Sequence, residues 1–139
     1  MDDLLTVLDS PDLLPTRAHA GDAGADLRAA EDAILYHGEV RVIRTGVKLV
    51  IPYQYAGLVR GRSSLTKNGI IGLEGTVDCQ YRGEIGVMVT SLNAGPALIR
   101  RGDRIAQLVI VPVGLPSFMA VDSLPGSERG ENGFGSTGI

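Results

Sequence analysis

The amino-acid sequence predicts an all-β protein, a jelly-roll-like β-sandwich or barrel with at most one short helix and a mobile C-terminal tail. Three observations support this fold class: runs of β-branched residues, turn residues at short intervals, and 19 glycines, which suit tight turns better than long helices. The 139 residues, 44% of them hydrophobic, are enough for one domain with a modest core. We therefore predict a β domain over residues 1–122 and a flexible, glycine-rich C-terminal arm over residues 123–139.

Three segments have the clearest strand patterns. Residues 40–52 are rich in β-branched side chains and are interrupted by Gly46. Residues 85–90 place Ile or Val at every second position, as expected of a pleated strand with one buried face. Residues 105–113 form a nearly continuous apolar run, which predicts a strand buried on both sides.

A helical pattern is confined to residues 63–69. We expect Ser63 to cap this helix and Gly69 to end it, because serine favours the N-cap and glycine the position after the C-cap. The helix should have one or two turns at most.

Composition limits the partners and the compartment. The formal net charge of −3 argues against binding to a nucleic-acid backbone or an anionic membrane, so we expect neither partner. The single cysteine, Cys79, excludes an internal disulfide and suits a reducing compartment. The N-terminus lacks the basic region of a signal peptide, and no stretch approaches the roughly 20 apolar residues of a spanning helix. These features predict a cytoplasmic protein.

The C-terminal tail carries the first chemical signal. Residues 129–138 combine an arginine, small hydroxyl residues and glycines whose backbone amides can converge on the oxygens of a phosphate chain. The segment is not a P-loop, because no lysine follows the glycines and no helix follows the loop. Phe134 could cover a nucleobase with its flat face. The alternative is a flexible tail with an incidental phenylalanine.

Four further segments place charged or hydroxyl residues beside glycines. They are residues 20–27, 61–65, 75–84 and 101–108. Residues 61–65 put Arg62 and two serines at the start of the predicted helix, a natural anion site. Residues 75–84 predict a hairpin with Asp78 and Tyr81 near its bend. Singly, these residues could be an ordinary turn aspartate, a strand aromatic and a surface charge, so the functional interpretation depends on their joint order.

Taken in order with the tail, these segments resemble the five motifs of the trimeric dUTP pyrophosphatase (dUTPase) family, and the resemblance covers Leu14 through Gly138. It implies a jelly-roll homotrimer with three active sites at the subunit interfaces. It also implies magnesium-assisted hydrolysis of dUTP to dUMP and pyrophosphate by attack of water on the α-phosphorus, which keeps uracil out of DNA and supplies dUMP. Mg²⁺ is the implied cofactor.

The resemblance also implies a role for each matching residue. Asp78 would be the catalytic base that activates water, Asp26 would hold Mg²⁺ through water, and Tyr81 would exclude a 2′-hydroxyl. The phosphates would be contacted by Arg62, Ser63, Ser64 and Gln107. The uracil edge would be read by backbone groups around Gly72, Thr76, Val77 and Gly86. The arm would close over the nucleotide through Arg129, Phe134, Gly135, Ser136 and Thr137.

Two alternatives remain beside dUTP hydrolysis. The second motif of the family ordinarily reads Pro-Arg-Ser-Gly, whereas residues 61–64 read Gly-Arg-Ser-Ser, which also resembles the related dCTP deaminases. A deaminase needs a carboxylate on the strand after the hairpin, and residues 85–93 contain none, with Thr90 at the equivalent position. The other alternative is a catalytically silent trimer that binds nucleotide.

Overall fold

The computed structural model describes residues 1–135, which contain eleven β-strands, one α-helix and one short 3₁₀ helix. The strands are β1 (Thr6–Leu8), β2 (Gly24–Arg28), β3 (Ala33–Leu35), β4 (Val40–Arg44), β5 (Val47–Leu49), β6 (Tyr55–Gly61), β7 (Ile70–Gly72), β8 (Gly75–Val77), β9 (Gly86–Ser91), β10 (Ala97–Ile99) and β11 (Arg104–Pro112). The 3₁₀ helix spans Pro11–Leu13, and the α-helix α1 spans Ser63–Lys67. The predicted all-β class with one short α-helix is confirmed.

The strands form two larger sheets and two strand pairs. One sheet has the order β2-β11-β6-β8 and the other β4-β9-β7, while β1 pairs with β5 and β3 with β10. All of these pairings are antiparallel. Most spatial neighbours are not consecutive in the chain, so the strands cross between sheets as in a jelly roll.

A single hydrophobic core joins the four groups of strands. Leu27 and Leu108 of the first sheet pack in the same cluster as Ile43 and Val87 of the second, together with Leu35 from β3. Thr45 is fully buried among these apolar side chains. Its hydroxyl donates a hydrogen bond of 2.6 Å to the Ile85 carbonyl, which removes the cost of burying the polar group.

The strand predictions agree with the structure where the sequence pattern depends on a single strand. Residues 40–52 form β4 and β5, and they are separated at Gly46, whose φ of 67° suits glycine. In β9, Val87 and Val89 are buried whereas Gly86 and Met88 are exposed. The expectation that 105–113 would be buried on both sides is wrong. Only one face of β11 lies on the core, so its alternate side chains are half-buried.

The short helix begins differently from the prediction. Ser63 is its first residue, and Arg62 occupies the N-cap position without a side-chain capping bond. The predicted serine cap is therefore wrong. The helix closes after Asn68, and Gly69 has a φ of 84°, which confirms glycine at the position after the C-cap.

The predicted hairpin over 75–84 is a connection between two sheets. The chain does turn there, since the Tyr81 amide donates to the Asp78 carbonyl at 3.1 Å. The flanking strands do not pair with each other, however: β8 pairs with β6, and β9 pairs with β4 and β7. The local pattern indicates a turn but does not determine which strands it joins.

The strand body ends at Pro112, and every residue from 114 to 135 is exposed and outside any strand or helix. The boundary of the arm at residue 123 and its flexibility stay predictions. Within residues 1–135, no helix has both the length and the apolar character required to cross a membrane.

Candidate functional site

One cavity lies beside the connection between β8 and β9. We call it cavity A; its volume is about 290 Å³, and it is lined by residues 75–78, Tyr81, residues 84–86, Val59 and Met88. It contains the predicted residues Thr76, Val77, Asp78, Tyr81 and Gly86. The turn between the two sheets therefore brings three of the four predicted base-reading residues and the predicted catalytic base into one cavity.

The strands beside cavity A have backbone groups free for a ligand. Strand β8 is at the edge of its sheet, so one row of its N–H and C=O groups has no strand partner. Strand β7 pairs with residues 89–91 of β9, and this leaves Gly86 beyond the end of that ladder. Unpaired N–H and C=O groups at fixed spacing can read the edge of a planar base through hydrogen bonds.

Asp78 and Tyr81 are held in different ways. The Asp78 side chain is exposed and accepts no hydrogen bond within the described residues, so the alternative of a turn aspartate bonded to its own backbone does not apply. The Tyr81 hydroxyl donates to the Glu84 carbonyl at 2.8 Å, which fixes the ring beside the cavity. Asp78 is thus available to a water molecule, whereas Tyr81 forms part of the wall.

A second cavity collects most of the predicted phosphate ligands. We call it cavity B; its volume is about 280 Å³. Its lining includes the predicted residues Asp26, Arg62, Ser63, Ser64 and Gln107, and also Ala18, Asp22, Gly24 and Arg104. These residues come from β2 and the loop before it, from β11, and from the start of α1 directly after β6. Strand β11 pairs antiparallel with both β2 and β6, which places these segments side by side.

The charges in cavity B are closely balanced. Arg62 Nε lies 3.4 Å from Asp26 Oδ1, and Arg104 Nη1 lies 3.7 Å from Asp26 Oδ2. The Asp26 side chain is only 16% exposed, so its two arginine partners offset the cost of burying its charge. Asp22 at the rim accepts from the His19 amide at 3.0 Å. Two arginines face two aspartates, so a polyanion entering here needs additional positive charge.

Gln107 reaches across the sheet in cavity B. Its side-chain amide donates a long hydrogen bond of 3.4 Å to the Gly61 carbonyl. It lies over Gly24, where any side chain would overlap the Gln107 amide. The long bond leaves the amide available to a better acceptor, such as a phosphate oxygen.

Arg104 is a site residue that the sequence interpretation missed. It lies three positions before Gln107, and an odd spacing places two side chains on opposite faces of a regular strand. A register shift between Arg104 and Ala106 changes this geometry, because one additional residue of β11 is accommodated there. Both Arg104 and Gln107 consequently line cavity B. No local sequence pattern indicates the bulge.

Gly72 does not line either cavity. Its backbone lies against Gly61, and a Cβ atom on Gly72 would be 2.7 Å from the Gly61 Cα. The absence of both side chains therefore allows β7 to pack on the end of β6, immediately before Arg62. The predicted contact of Gly72 with uracil stays a prediction, whereas close backbone packing accounts for the glycine.

The described part of the arm, residues 123–135, lines neither cavity. Arg129 donates to the carbonyls of Asn132 at 2.6 Å and Gly133 at 3.1 Å, and Phe134 is fully exposed. Gly135 has a φ of 80°, a conformation that favours glycine. The predicted residues Ser136 and Thr137 lie outside the described residues.

Within residues 1–135, no group of three or more His, Cys, Asp or Glu side chains is arranged to hold a metal ion. Asp26 and Asp22 are the carboxylates of cavity B. This donor set does not suit direct chelation by the protein. It does suit Mg²⁺ that arrives on substrate phosphates and keeps most of its water ligands.

This chain is similar in sequence and in structure to known dUTPases. The family model described as dUTPase matches residues 12–138. A deoxyuridine 5′-triphosphate nucleotidohydrolase of Thermobifida fusca is 50% identical over 133 residues, covering 92% of this chain and 74% of the relative. The corresponding protein of Leifsonia xyli is 50% identical over 129 residues, covering 90% and 85%.

Solved structures agree with the sequence relatives. A variant dUTPase of Staphylococcus bacteriophage 80alpha with dUpNHpp superposes with a TM-score of 0.93 at 31% identity, over all of both chains. A variant dUTPase of phage phi11 of S. aureus, described with a structural Mg(II) ion, has a TM-score of 0.82 at 29% identity, covering 88% of this chain and 98% of that one. The family model, the sequence relatives and the superposed structures agree, and this chain belongs to the dUTPase family.

Proposed function

We propose that this chain hydrolyses dUTP to dUMP and pyrophosphate, with cavity A binding deoxyuridine and cavity B binding the phosphates. The observation that carries the proposal is the unpaired carboxylate of Asp78 beside the free backbone edge of β8 in cavity A. That arrangement supplies a base reader and a water-activating group within one wall.

The free edges beside cavity A account for selection of the base. Backbone groups around Thr76, Val77 and Gly86 have fixed donor and acceptor positions. Uracil matches them, whereas the amino group of cytosine would place a hydrogen-bond donor against a backbone donor. Exchange of one acceptor for a donor leaves a buried group unsatisfied, which costs about 1–3 kcal/mol. Tyr81 lies against the sugar and leaves no room for a 2′-hydroxyl.

Asp78 acts as the general base. Its carboxylate accepts a proton from a water molecule whose oxygen attacks the α-phosphorus. A P–O bond forms, and the bond between the α-phosphorus and the bridging oxygen breaks. The electron pair leaves with pyrophosphate, and dUMP remains in cavity A.

Cavity B fits the anionic end of the substrate. Arg62, Ser63, Ser64 and Gln107 supply donors to phosphate oxygens, and Arg104 adds a second guanidinium. We propose that Asp26 holds Mg²⁺ through water. Bound with the substrate, Mg²⁺ would supply positive charge that offsets the charge of the phosphates and favours departure of pyrophosphate. The balanced charge of the cavity supports this role, because the chain alone does not neutralise a triphosphate.

We propose a homotrimer with sites between subunits, and the separation of the two cavities supports it. No residue lines both cavities in the described part of the chain. We propose that cavity A of one subunit faces cavity B of a neighbour. The segment that leads from β11 into the arm supports association, because five large hydrophobic side chains between residues 115 and 124 are 58–96% exposed and need a neighbouring surface. They are Leu115, Phe118, Met119, Val121 and Leu124.

The arm completes the proposed site. Phe134 would cover the uracil, and Arg129 would exchange its bonds to local carbonyls for bonds to the terminal phosphates, assisted by Gly135, Ser136 and Thr137. Closure over bound substrate would exclude water other than the attacking molecule. We place the reaction in the cytoplasm, where Cys79 would stay reduced.

Deamination of dCTP has less support than dUTP hydrolysis. Thr90 does not line cavity A, and Glu84, the second carboxylate of that cavity, receives two hydrogen bonds from Arg44. A carboxylate with both oxygens bound in this way is not free to activate water at the base.

Subunit complementation tests the shared site. Asp78→Asn disables cavity A, Arg62→Gln disables cavity B, and each homotrimer should be nearly inactive. In co-expressed mixed trimers, half of the sites take an intact cavity A and half of those an intact cavity B, so about a quarter of wild-type activity should return. The control is a mixture of the two separately purified proteins, which should stay inactive. Absence of recovery in mixed trimers would contradict the shared site.

A further inference from the structure

The connection between β8 and β9 carries both Asp78 and Tyr81, and an ion pair between Glu84 of cavity A and Arg44 behind it holds the connection in place. Arg44 stands at the end of β4, opposite Gly86 of β9. Its guanidinium donates to Glu84 through Nε at 3.1 Å and through Nη2 at 2.9 Å, and Nη2 also donates to Asp9. This two-pronged geometry fixes the Glu84 carboxylate in both position and orientation.

Glu84 joins this ion pair to Tyr81. Its main-chain carbonyl accepts the Tyr81 hydroxyl at 2.8 Å, while its side chain is bound by Arg44. The Tyr81 amide in turn donates to the Asp78 carbonyl at 3.1 Å. Arg44 does not line cavity A, and its side chain is connected to that cavity through Glu84.

Tyr81 is held by its hydrogen bond to Glu84 and by contact with Gly83. The residue is 46% exposed, and its ring lies so close to Gly83 that a Cβ atom there would overlap the Tyr81 hydroxyl and ring, so the hydrogen bond to Glu84 is the polar contact that fixes the ring. We propose that Arg44 and Glu84 are positioning residues that hold Tyr81 against the sugar and thereby set the discrimination of dUTP from UTP. The proposal rests on the proposed function.

Loss of the ion pair would let the connection shift and Tyr81 retreat, so the added hydroxyl of UTP would meet less resistance. The pair is partly exposed, with side-chain exposures of 50% for Arg44 and 22% for Glu84. Glu84→Gln and Arg44→Gln should each raise the ratio of kcat/KM for UTP to that for dUTP about two- to fivefold, as expected for a pair of this exposure. Tyr81→Phe, which removes the hydroxyl itself, should raise the ratio at least as much.

The double variant Arg44→Gln with Glu84→Gln tests whether the two residues act through their mutual contact or independently. Both residues act through one contact, so the double variant should raise the ratio no more than the stronger single variant. Asp12→Asn is the matched control, because Arg101 also binds Asp12 through two hydrogen bonds, at 2.8 and 3.2 Å, away from both cavities. Its ratio should equal that of the wild type.

The dependence of the UTP-to-dUTP ratio of kcat/KM on salt distinguishes a positioning role from a purely structural one. UTP and dUTP carry the same charge, so the ratio cancels the effect of salt on triphosphate binding. Screening weakens the Arg44–Glu84 pair, so the wild-type ratio should rise with ionic strength, whereas the Glu84→Gln ratio should stay constant.

The outcomes separate the two hypotheses. A wild-type protein that does not hydrolyse dUTP would refute the proposed function. An active, folded Glu84→Gln protein with the wild-type ratio at every ionic strength would refute the positioning role alone. If Glu84→Gln does not fold, the positioning role is tested by Arg44→Gln and by the salt dependence of the wild type. The proposal is overturned if the ratio of kcat/KM for UTP to that for dUTP is unchanged in both experiments.

Discussion

Replacement of Gly72 by alanine tests how the fold holds the phosphate site. The new Cβ atom would lie 2.7 Å from the Gly61 Cα and 3.2 Å from the Gly61 nitrogen, whereas nonbonded carbon atoms prefer about 3.5–4.0 Å. Both contacts are with backbone, so no side chain can rotate away. The ends of β6 and β7 must separate, which moves Arg62 of cavity B.

The expected cost follows from this overlap. Overpacking between strands costs about 1–3 kcal/mol, and the lower entropy of unfolded alanine returns about 0.4–1 kcal/mol. The net loss is centred on about 1.3 kcal/mol, which corresponds to a Tm decrease of about 4 °C for a chain of this size. Gly95→Ala is the control, because no atom lies within 4 Å of its new Cβ and its φ is not positive.

Thermal unfolding of both variants at one protein concentration provides the assay, since association makes Tm depend on concentration. Gly72→Ala should also lower kcat/KM for dUTP, through displaced phosphate ligands. A Gly72→Ala protein as stable and as active as Gly95→Ala would refute the packing argument.

Three further predictions concern the base, the arm and a surface ion pair. Asp78→Asn should lower kcat by about 10²–10⁴-fold with dUTP affinity nearly unchanged by isothermal titration; retained turnover would exclude Asp78 as the base. Truncation after Ser127 should lower kcat roughly 100-fold or more with Tm and trimer mass unchanged, whereas an unstable or monomeric product would indicate a structural arm. Hydrogen bonds from Arg101 and then Ser10 hold the pKa of Asp12 well below its ordinary value of 3.8. The charged Asp12 carboxylate therefore stabilises the folded state above pH 3.8, and this stabilisation is lost as pH falls and the carboxylate is protonated. The difference in Tm between the wild type and Asp12→Asn should accordingly decrease between about pH 5 and about pH 2. A difference that stays constant over this range would contradict the ion pair.

The sequence predicts those features of the fold that depend on one segment. The alternation in β9 and the break at Gly46 follow from side-chain period and backbone conformation, which are local properties. Burial of β11 on one face and the crossing between β8 and β9 depend on which strands become neighbours. That information lies in packing across the whole chain, so local patterns could not supply it.

The candidate site shows the same division. Asp26, Arg62 and Gln107 were predicted through the order of the motifs, and the structure brings them together in cavity B. Arg104 was missed because a bulge in β11 turns its side chain towards the cavity. Glu84 was missed because its importance comes from a main-chain carbonyl and a distant arginine, neither of which has a sequence signature.

Hydrolysis of dUTP is tested most directly by measuring pyrophosphate release from dUTP, dCTP, dTTP and UTP, with and without Mg²⁺, and by identifying the nucleotide products. We expect rapid, magnesium-dependent conversion of dUTP to dUMP and little reaction with the other three nucleotides. A deaminated product from dCTP would assign the chain to the deaminase chemistry instead. Absence of reaction with all four would contradict catalysis and leave a nucleotide-binding trimer.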